Sequence, residues 1–294
     1  MPGSFGFYCP QVRASAADVE RRVLAAEAAG FDSVWFLDHL AAPGMPDADV
    51  YEGWTLASYL AGRTSRIRLG HLVLCDAFRP AQLLAKMSAT LDVLSGGRVD
   101  LGLGWGSLPD ELRSWGFGDV ATAERSRRLE ETLQVLPLLW SGEPVTWDGE
   151  QVQLSGVIAR PRPVQGRIPL HIGGAGRTLT LPLVAKYADW WNVPSYALSQ
   201  WEELRPLAGP DVRVSTQRPV ALVPSADKRE EVTALAERRF ASWGGLVVAD
   251  PDELAALLVR ERAMGVDAWV LQFTDFGQPE TLELFMREVA PALD

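Results

Sequence analysis

The stretch IRLGHLVL (Ile67–Leu74) is followed by AQLLAKMSATLDVLSGG (Ala81–Gly97) and then by RVDLGL (Arg98–Leu103). The first and last of these are short apolar runs, a pattern that predicts buried strands. The middle stretch begins after Pro80 and ends in two glycines, which is the usual punctuation of a helix. A strand, a helix and a second strand in this order predict that the two strands pair in parallel.

The same alternation continues on both sides of this unit. Apolar runs predict further strands at Phe5–Tyr8, Ser33–Leu37, Ile168–Gly174, Ala188–Pro194, Arg213–Pro224 and Ala268–Phe273. About eight strand–helix units in a chain of 294 residues predict an α/β fold, a (β/α)8 TIM barrel. A doubly wound open sheet is the alternative, but GLGWGS (Gly102–Ser107) lacks the third glycine of the dinucleotide-binding fingerprint.

The alternation is interrupted after the fourth predicted strand. Residues from about 105 to 165 contain a long predicted helix at Thr122–Ser141 and a hairpin signal at WDGE (Trp147–Glu150). We interpret this stretch as an insertion that packs on the barrel, so that residues 1–294 form a single domain. A domain boundary within the stretch is the alternative, although the stretch is too short to be a domain itself.

Charge and cysteine content restrict the partners and the compartment. The formal net charge is −10, which disfavours nucleic acid because phosphate backbones need a clustered basic surface. No apolar run reaches the roughly 18 residues of a membrane span, and the first residues, MPGSFGFYCP, do not read as a signal peptide. Cys9 and Cys75 fit no CxxC pattern, so we expect a cytoplasmic protein with reduced cysteines.

In a barrel of this type the functional site lies at the carboxyl ends of the strands. The second predicted strand ends at Asp38 and His39, and an imidazole titrates near neutral pH, so His39 is the candidate for proton transfer. A bracing role for His39 in the following loop is the alternative. Because neighbours on a strand point to opposite faces, we do not expect Asp38 and His39 to bond each other.

The fifth predicted strand runs into a glycine-rich stretch before the next helix. Backbone N–H groups at a helix start attract anions, and glycines let an anion approach closely. The alternative is a tight turn that needs glycine only for its backbone angles. The candidate anion site consists of Gly173, Gly174, Ala175, Gly176 and Arg177.

Other titratable residues form weaker patterns. His39, His71 and His171 fall on different predicted strands with no HxH pair and no nearby set of carboxylates, so we predict no metal site. His71 and His171 are instead predicted to be satisfied interior residues. Asp110 and Glu111 follow the fourth strand, and we interpret them as part of a solvated acidic loop.

The sequence resembles the bacterial luciferase-like superfamily in several stretches taken together. They occur in the family's order over nearly the whole chain: SVWFLDHL, IRLGHLVL with FRPAQLLAKMSATLDVLSGGR, VDLGLGWG, LEETLQVLPLLWSGEPVTWDGE, IPLHIGGAGR and ADWWN. The Asp38–His39 ending of the second strand is similar to the branch that uses the deazaflavin coenzyme F420. FMN-dependent monooxygenases of the superfamily tend to have a different arrangement there.

This resemblance implies a homodimer of barrels, each with a coenzyme ring at the carboxyl ends of its strands. Asp38 and His39 would lie beside the ring, and Asp110 would approach its pyrimidine end. A non-prolyl cis peptide is implied at Leu72–Val73, within a bulge of the third strand. The implied coenzyme-binding residues are Asp38, Leu72, Val73, Leu74, Cys75 and Asp110 around the ring, and Gly173, Gly174, Ala175, Gly176 and Arg177 at the phosphate.

The activity implied by the resemblance is hydride transfer between F420 and a small, hydrophobic organic substrate with a C=C, C=N or alcohol/carbonyl group. An FMN-dependent monooxygenase, which takes reduced flavin from a partner reductase and reacts with O2, is the alternative. A metal-dependent hydrolase and a non-catalytic flavin-binding paralogue are further alternatives. The proposed catalytic residues are His39, for the proton, and Asp38, which would position the ring or its neighbour.

One position departs from the pattern of the sugar-phosphate dehydrogenase branch of the family. That branch has a glutamate proton donor after the glycines of the fourth strand, and this chain has Ser107 there. A serine does not supply a proton near neutral pH without a partner. The departure disfavours sugar-phosphate activity, and it leaves His39 or a bound water to supply the proton.

Overall fold

The computed structural model describes residues 3–9, 11–45 and 47–293. Its strands are β1 (Ser4–Tyr8), β2 (Ser33–Phe36), β3 (Arg68–His71), β4 (Leu74–Cys75), β5 (Val99–Gly104), β6 (Val145–Asp148), β7 (Gln153–Val157), β8 (Leu170–Gly173), β9 (Trp190–Pro194), β10 (Arg213–Leu222), β11 (Val247–Ala249) and β12 (Ala268–Phe273). Its helices are α1 (Ala16–Ala29), α2 (Gly53–Ala61), α3 (Ala81–Ser95), α4 (Pro109–Ser114), α5 (Thr122–Trp140), α6 (Thr180–Tyr187), α7 (Trp201–Leu204), α8 (Arg229–Phe240), α9 (Pro251–Met264) and α10 (Pro279–Leu284).

Within these described ranges, eight parallel strands close into a ring. The order around the ring is β1, β2, β3, β5, β8, β9, β10 and β12, and β12 pairs with β1 to close it. Helices connect successive strands on the outside, as right-handed strand–helix crossovers require. The predicted (β/α)8 barrel is therefore confirmed. No helix in these ranges combines the length and the apolar run that crossing a bilayer needs.

The third barrel strand differs from its prediction as one continuous run at Ile67–Leu74. β3 ends at His71, the chain passes through a cis peptide between Leu72 and Val73, and pairing with β5 resumes only at β4. The apolar pattern shows the burial of this stretch but carries no sign of the interruption, because apolar side chains continue through it. The cis peptide implied by the resemblance is present at the expected position.

The glycines of β5 make room for this bulge. A Cβ atom built on Gly104 would lie 2.7 Å from Val73 Cγ2, and one built on Gly102 would collide with the carbonyl oxygen of His71. Real Cβ atoms need more space than this, so larger side chains would push the bulge away from β5. Strand packing thus explains the glycines of GLG, which do not form a dinucleotide-binding fingerprint.

The inside of the barrel is filled around Trp35. Its indole Nε1 donates to Ser33 Oγ at 2.8 Å, and the ring occupies the space left by glycines on two neighbouring strands. A Cβ atom on Gly6 would lie 2.6 Å from Trp35 Nε1, and one on Gly70 would lie 2.5 Å from Cζ3. Trp35 belongs to an apolar layer that fills the barrel between its two ends. The layer consists of Tyr8, Trp35, Leu37, Leu72 and Val270.

The stretch between β5 and β8 contains α4, α5 and the antiparallel hairpin β6–β7 that WDGE predicts. Glu131 of α5 fastens the hairpin, because its carboxylate accepts from Trp147 Nε1 at 3.1 Å and from the backbone amides of Gln151 and Val152 at 2.9 Å. The hairpin thus lies against α5, on the outside of the barrel.

Candidate active site

A cavity of about 390 Å³ opens at the carboxyl ends of β2, β4, β5 and β8. This is the end at which barrel enzymes carry their sites, because the loops that follow the strands converge there. The lining residues are Leu37, Asp38, His39, Leu72, Val73, Leu74, Cys75, Gly104, Trp105, Gly106, Ser107, Leu108, Glu111, Leu112, Leu129, Ile172, Gly173, Gly174, Ala175, Gly176 and Thr180. Ten of the candidate residues from the sequence are brought together here, and Asp110 and Arg177 are not among the lining residues.

One wall of the cavity is the bulge from Leu72 to Cys75, and Asp38 holds it in place. The Asp38 carboxylate accepts from the Cys75 amide at 2.8 Å and from both terminal nitrogens of Arg79 at 2.7 Å. Arg79 also donates to Glu52 at 2.6 Å. Because the buried carboxylate is already engaged on both oxygens, its arrangement suits positioning of the wall rather than proton transfer.

Cys75 contributes an apolar surface to the same wall. Desolvation by burial raises the pKa of its thiol to about 12, so the sulfur stays protonated at neutral pH. A protonated thiol is a poor nucleophile, and the cysteine therefore acts as a small hydrophobic side chain.

The second wall carries a pair formed by His39 and Glu111. His39 Nδ1 lies 2.8 Å from Glu111 Oε2, and Glu111 Oε1 accepts from the amides of Leu40 at 2.7 Å and Ala41 at 3.2 Å. As expected, Asp38 makes its bonds elsewhere and does not bond His39. The histidine does brace the following loop through Glu111, and its ring also lines the cavity.

Glu111 lines the cavity beside His39, and the sequence interpretation misses it as a candidate site residue. A solvated acidic loop is the wrong description of it, because its side chain is only 9% exposed. The structure brings Glu111 rather than Asp110 to the cavity: Asp110 is 88% exposed and pairs with Arg113. The available signal is Pro109 followed by two acids, which is typical of a helix start and places Glu111 on a short helix rather than in a loop.

The glycine-rich backbone of residues 173–176 lines the third side of the cavity, and we call this segment the cradle. Gly174 has φ of 120° and donates to Asn192 O, while the amides of Thr180 and Leu181 donate to Gly176 O. In the described part of the chain, no protein acceptor pairs with the N–H groups of Ala175 and Gly176. These two donors lie just before α6, where the helix dipole also favours negative charge.

Side chains would not fit easily in the cradle. A Cβ atom on Gly176 would lie 2.8 Å from Thr180 Oγ1, and one on Gly173 would lie 3.1 Å from Val73 Cγ1. Arg177, the expected cationic member, instead pairs with Glu203 and is half-exposed. The candidate anion site thus offers backbone donors, without the predicted guanidinium.

The other two histidines are buried, as the sequence predicts, but they are not fully satisfied, because one ring nitrogen of each has no partner among the described residues. His71 stacks on Trp54 with ring centroids 5.4 Å apart, and burial lowers its pKa. His171 stacks on Trp190 at 5.5 Å and lies 3.4 Å from Asp100. The described residues contain no group of three His, Cys, Asp or Glu side chains placed to hold a metal ion.

A larger cavity, of about 680 Å³, opens at the amino end of the barrel. Its charged lining is largely paired within the protein: Arg68 donates to Asp100 at 2.6 Å, and the Asp32 carboxylate accepts from the Phe5 amide at 2.8 Å. This cavity lies at the end of the fold that barrel enzymes use for stability.

The fold and the site define a (β/α)8-barrel protein with a ligand cavity at the carboxyl ends of its strands. The profile of the family described as luciferase-like monooxygenase matches residues 4–287, and the chain belongs to this family. The resemblance drawn from the sequence motifs is thereby confirmed.

Two of its relatives match the chain over only part of its length. The chain is 38% identical over 138 residues to an uncharacterized protein of Mycobacterium tuberculosis, covering 47% of this chain and 48% of the relative. It is 36% identical over 165 residues to the F420-dependent glucose-6-phosphate dehydrogenase of Kineococcus radiotolerans, covering 55% of this chain and 47% of that enzyme. The matched region thus spans about half the length of these relatives.

Among solved structures, an F420-dependent secondary alcohol dehydrogenase in complex with an F420-acetone adduct matches with a TM-score of 0.82. The two chains are 20% identical, and the match covers 100% of each. At this identity the similarity establishes the fold.

Proposed function

We propose that this protein is an F420-dependent oxidoreductase that transfers a hydride between the coenzyme and a small, uncharged, apolar organic substrate. The observation that carries the proposal is one cavity in which an uncommitted anion cradle, a bulged wall and a histidine–carboxylate pair face each other. Relatives named for F420 dependence support the choice of coenzyme.

The residues present fit such a coenzyme. The N–H groups of Ala175 and Gly176 would hold its phosphate, because they are donors without a protein acceptor in the described chain. The wall from Leu72 to Cys75 would flank its ring, and Asp38 with Arg79 would keep that wall rigid. A wall fixed in advance lowers the free-energy cost of ordering a ligand.

The bound coenzyme would supply the hydride acceptor or donor, and the chain's own residues would handle the proton and the substrate. In oxidation of an alcohol, His39 would accept the hydroxyl proton as the carbinol carbon gives up its hydride. In reduction of a carbonyl, His39 would return the proton to the oxygen. The apolar side chains of the cavity would exclude water from this exchange.

The charge of the cavity favours an uncharged substrate. Among the described lining residues no lysine or arginine occurs, and the charged side chains are Asp38 and Glu111. Trp105, Leu108 and Leu112 add apolar surface. A phosphorylated sugar would meet the Glu111 carboxylate and no lysine or arginine among the described lining residues, so we expect glucose 6-phosphate to be a poor substrate, in agreement with Ser107.

The proposal includes a homodimer. Leu83 and Leu94 on α3 are 50% and 75% exposed, and their separation of eleven residues puts them on one helix face. Contiguous exposed apolar surface is typical of association sites, and we propose this face of α3 as the contact between subunits. Light scattering should give a dimer for the unmodified chain and a monomer for Leu94→Glu; a monomeric unmodified chain would remove this part of the proposal.

The test of the coenzyme is a parallel titration of the purified protein with F420 and with FMN, followed by tryptophan fluorescence. Trp105 lines the cavity, so binding there should quench emission. We expect saturable F420 binding at least tenfold tighter than FMN binding, with Trp105→Phe losing most of the quenching. Preference for FMN would favour the monooxygenase alternative, which the family description supports, and would call for oxygen-uptake assays with a flavin reductase.

A further inference from the structure

We infer that Glu111 fixes the neutral form of His39 as the Nδ1–H tautomer, which makes Nε2 the atom that exchanges a proton with the substrate. Glu111 is thus a positioning residue that acts through His39. The catalytic consequence rests on the proposed function, whereas the tautomer itself does not depend on any coenzyme.

The orientation of the Glu111 carboxylate is set by the backbone. Its Oε1 accepts from the amides of Leu40 and Ala41, which leaves Oε2 facing His39 Nδ1 at 2.8 Å. An ionised carboxylate only accepts hydrogen bonds, so the imidazole nitrogen at this distance must carry the hydrogen. A neutral imidazole has one N–H, and Nε2 is then left with its lone pair.

Nε2 is the nitrogen available to a substrate. Within the described chain it has no hydrogen-bond partner, and the His39 side chain is 27% exposed while lining the cavity. A nitrogen with a lone pair accepts the proton of an alcohol, and the imidazolium formed is stabilised by the adjacent carboxylate. Glu111 thereby favours transfer of the proton from the substrate to His39.

Hydrogen bonds from the Leu40 and Ala41 amides tie Glu111 on α4 to the residues that follow β2, and packing fixes the segment around α4. Leu112 is buried beside the cavity, and beyond the helix the ring of Phe117 lies 4.9 Å from that of Phe78. The pair is therefore built by contacts between segments about seventy residues apart. Such support is what keeps a catalytic side chain in one rotamer and one tautomer.

Glu111→Gln tests the inference with almost no change of shape. The amide oxygen of the glutamine would take the Leu40 and Ala41 amides, because the opposite orientation would set N–H groups against N–H groups. Its NH2 group would then face His39 Nδ1 and donate to it, which forces the Nε2–H tautomer. The matched control is Glu124→Gln, an exposed residue on α5 whose substitution makes the same change of charge.

The direct readout is histidine-selective 15N NMR of the coenzyme-free protein at a pH where the rings are neutral. The chain has three histidines, and His39→Asn identifies the His39 signals. We expect the Nδ1–H pattern for the unmodified chain and Glu124→Gln, and the Nε2–H pattern for Glu111→Gln. Glu111→Asp keeps an acceptor-only side chain and should retain Nδ1–H. An Nε2–H pattern in the unmodified chain, or an unchanged pattern in Glu111→Gln, would overturn the inference.

Kinetics test the catalytic part separately. With F420 and an alcohol substrate, Glu111→Gln should lower kcat by about 10²- to 10⁴-fold, the range of general acid–base catalysis, with KM changed less than about threefold if substrate contacts are unaltered. An inverted tautomer with full kcat would refute the catalytic role. Failure of F420 to bind would refute the proposed function while leaving the NMR result intact.

Discussion

Each end of the barrel has a cavity. The two cavities differ in whether their polar groups already have hydrogen-bond partners within the protein. At the amino end, the larger cavity is lined largely by groups that the protein has already paired, such as Arg68 with Asp100, and His171 Nδ1 is an exception. At the carboxyl end, the Ala175 and Gly176 amides and His39 Nε2 have no protein partner in the described chain. Two adjacent backbone donors and a ring nitrogen without protein partners, rather than cavity size, support the proposed ligand site at the carboxyl end, because most buried polar groups are paired.

The largest predicted effect is a loss of kcat, and it should distinguish the histidines at the two ends of the barrel. His39→Asn removes the proposed proton carrier, so kcat with F420 should fall about 10²- to 10⁴-fold while the Kd of F420 changes little. His171→Gln, at the amino end, should lower Tm without affecting kcat per folded molecule. Steady-state kinetics and thermal unfolding of both variants check this, and full turnover by His39→Asn would contradict the assignment.

Arginines at the two ends give the next comparison. Arg79→Met leaves the buried Asp38 carboxylate without its cation, which should cost about 3–5 kcal/mol of unfolding free energy and loosen the coenzyme-facing wall. Arg68→Met should also destabilise the fold through Asp100 but leave F420 affinity unchanged. Urea unfolding and F420 titration measure the two effects. Equal losses of affinity in both variants would remove the distinction between the ends.

A buried carboxylate behind the wall should make stability depend on pH. Desolvation raises the pKa of Asp76 to about 6 in the fold, above that of an unfolded aspartate, although Arg128 Nε lies 3.2 Å from it. The native state therefore holds the proton more tightly, and this residue's contribution to stability falls as pH rises from about 4 to 6.

Asp76→Asn removes that ionisation. At pH 7 we expect the variant to be up to about 2–3 kcal/mol more stable than the unmodified chain, with the difference disappearing near pH 4. Denaturant unfolding at both pH values is the measurement. A variant that is less stable at pH 7 would show that the Arg128 contact outweighs desolvation.

The smallest predicted effect is a loss of stability when the space beside the bulge is filled. Gly104→Ala places a Cβ atom 2.7 Å from Val73 Cγ2, so it should cost about 1–3 kcal/mol through overpacking. Gly62→Ala is the matched control, since Gly62 has right-handed helical angles and its Cβ atom would lie 3.5 Å from the nearest atom. The control should be neutral or slightly stabilising. Equal Tm values would contradict the packing role of Gly104.

The sequence predicts those features that depend on local patterning. β12 lies at the predicted residues, and α5 differs from its predicted range by one residue, because apolar periodicity directly reflects burial. Glu111 and Arg177 show why the rest is not predictable. Each acquires its partner from a segment distant in the chain: His39 lies 72 residues from Glu111, and Glu203 lies 26 residues from Arg177.

The measurement that most directly tests the central claim is the F420 affinity of Ala175→Asp. Ala175 already carries a Cβ atom, so an aspartate there adds negative charge to the cradle without requiring a new backbone conformation. Ala234→Asp makes the same change on the exposed face of α8 and is the control. We predict at least a tenfold rise in the Kd of F420 for Ala175→Asp and no change for Ala234→Asp. Unaltered affinity in Ala175→Asp, with the fold intact, would contradict the location of the site.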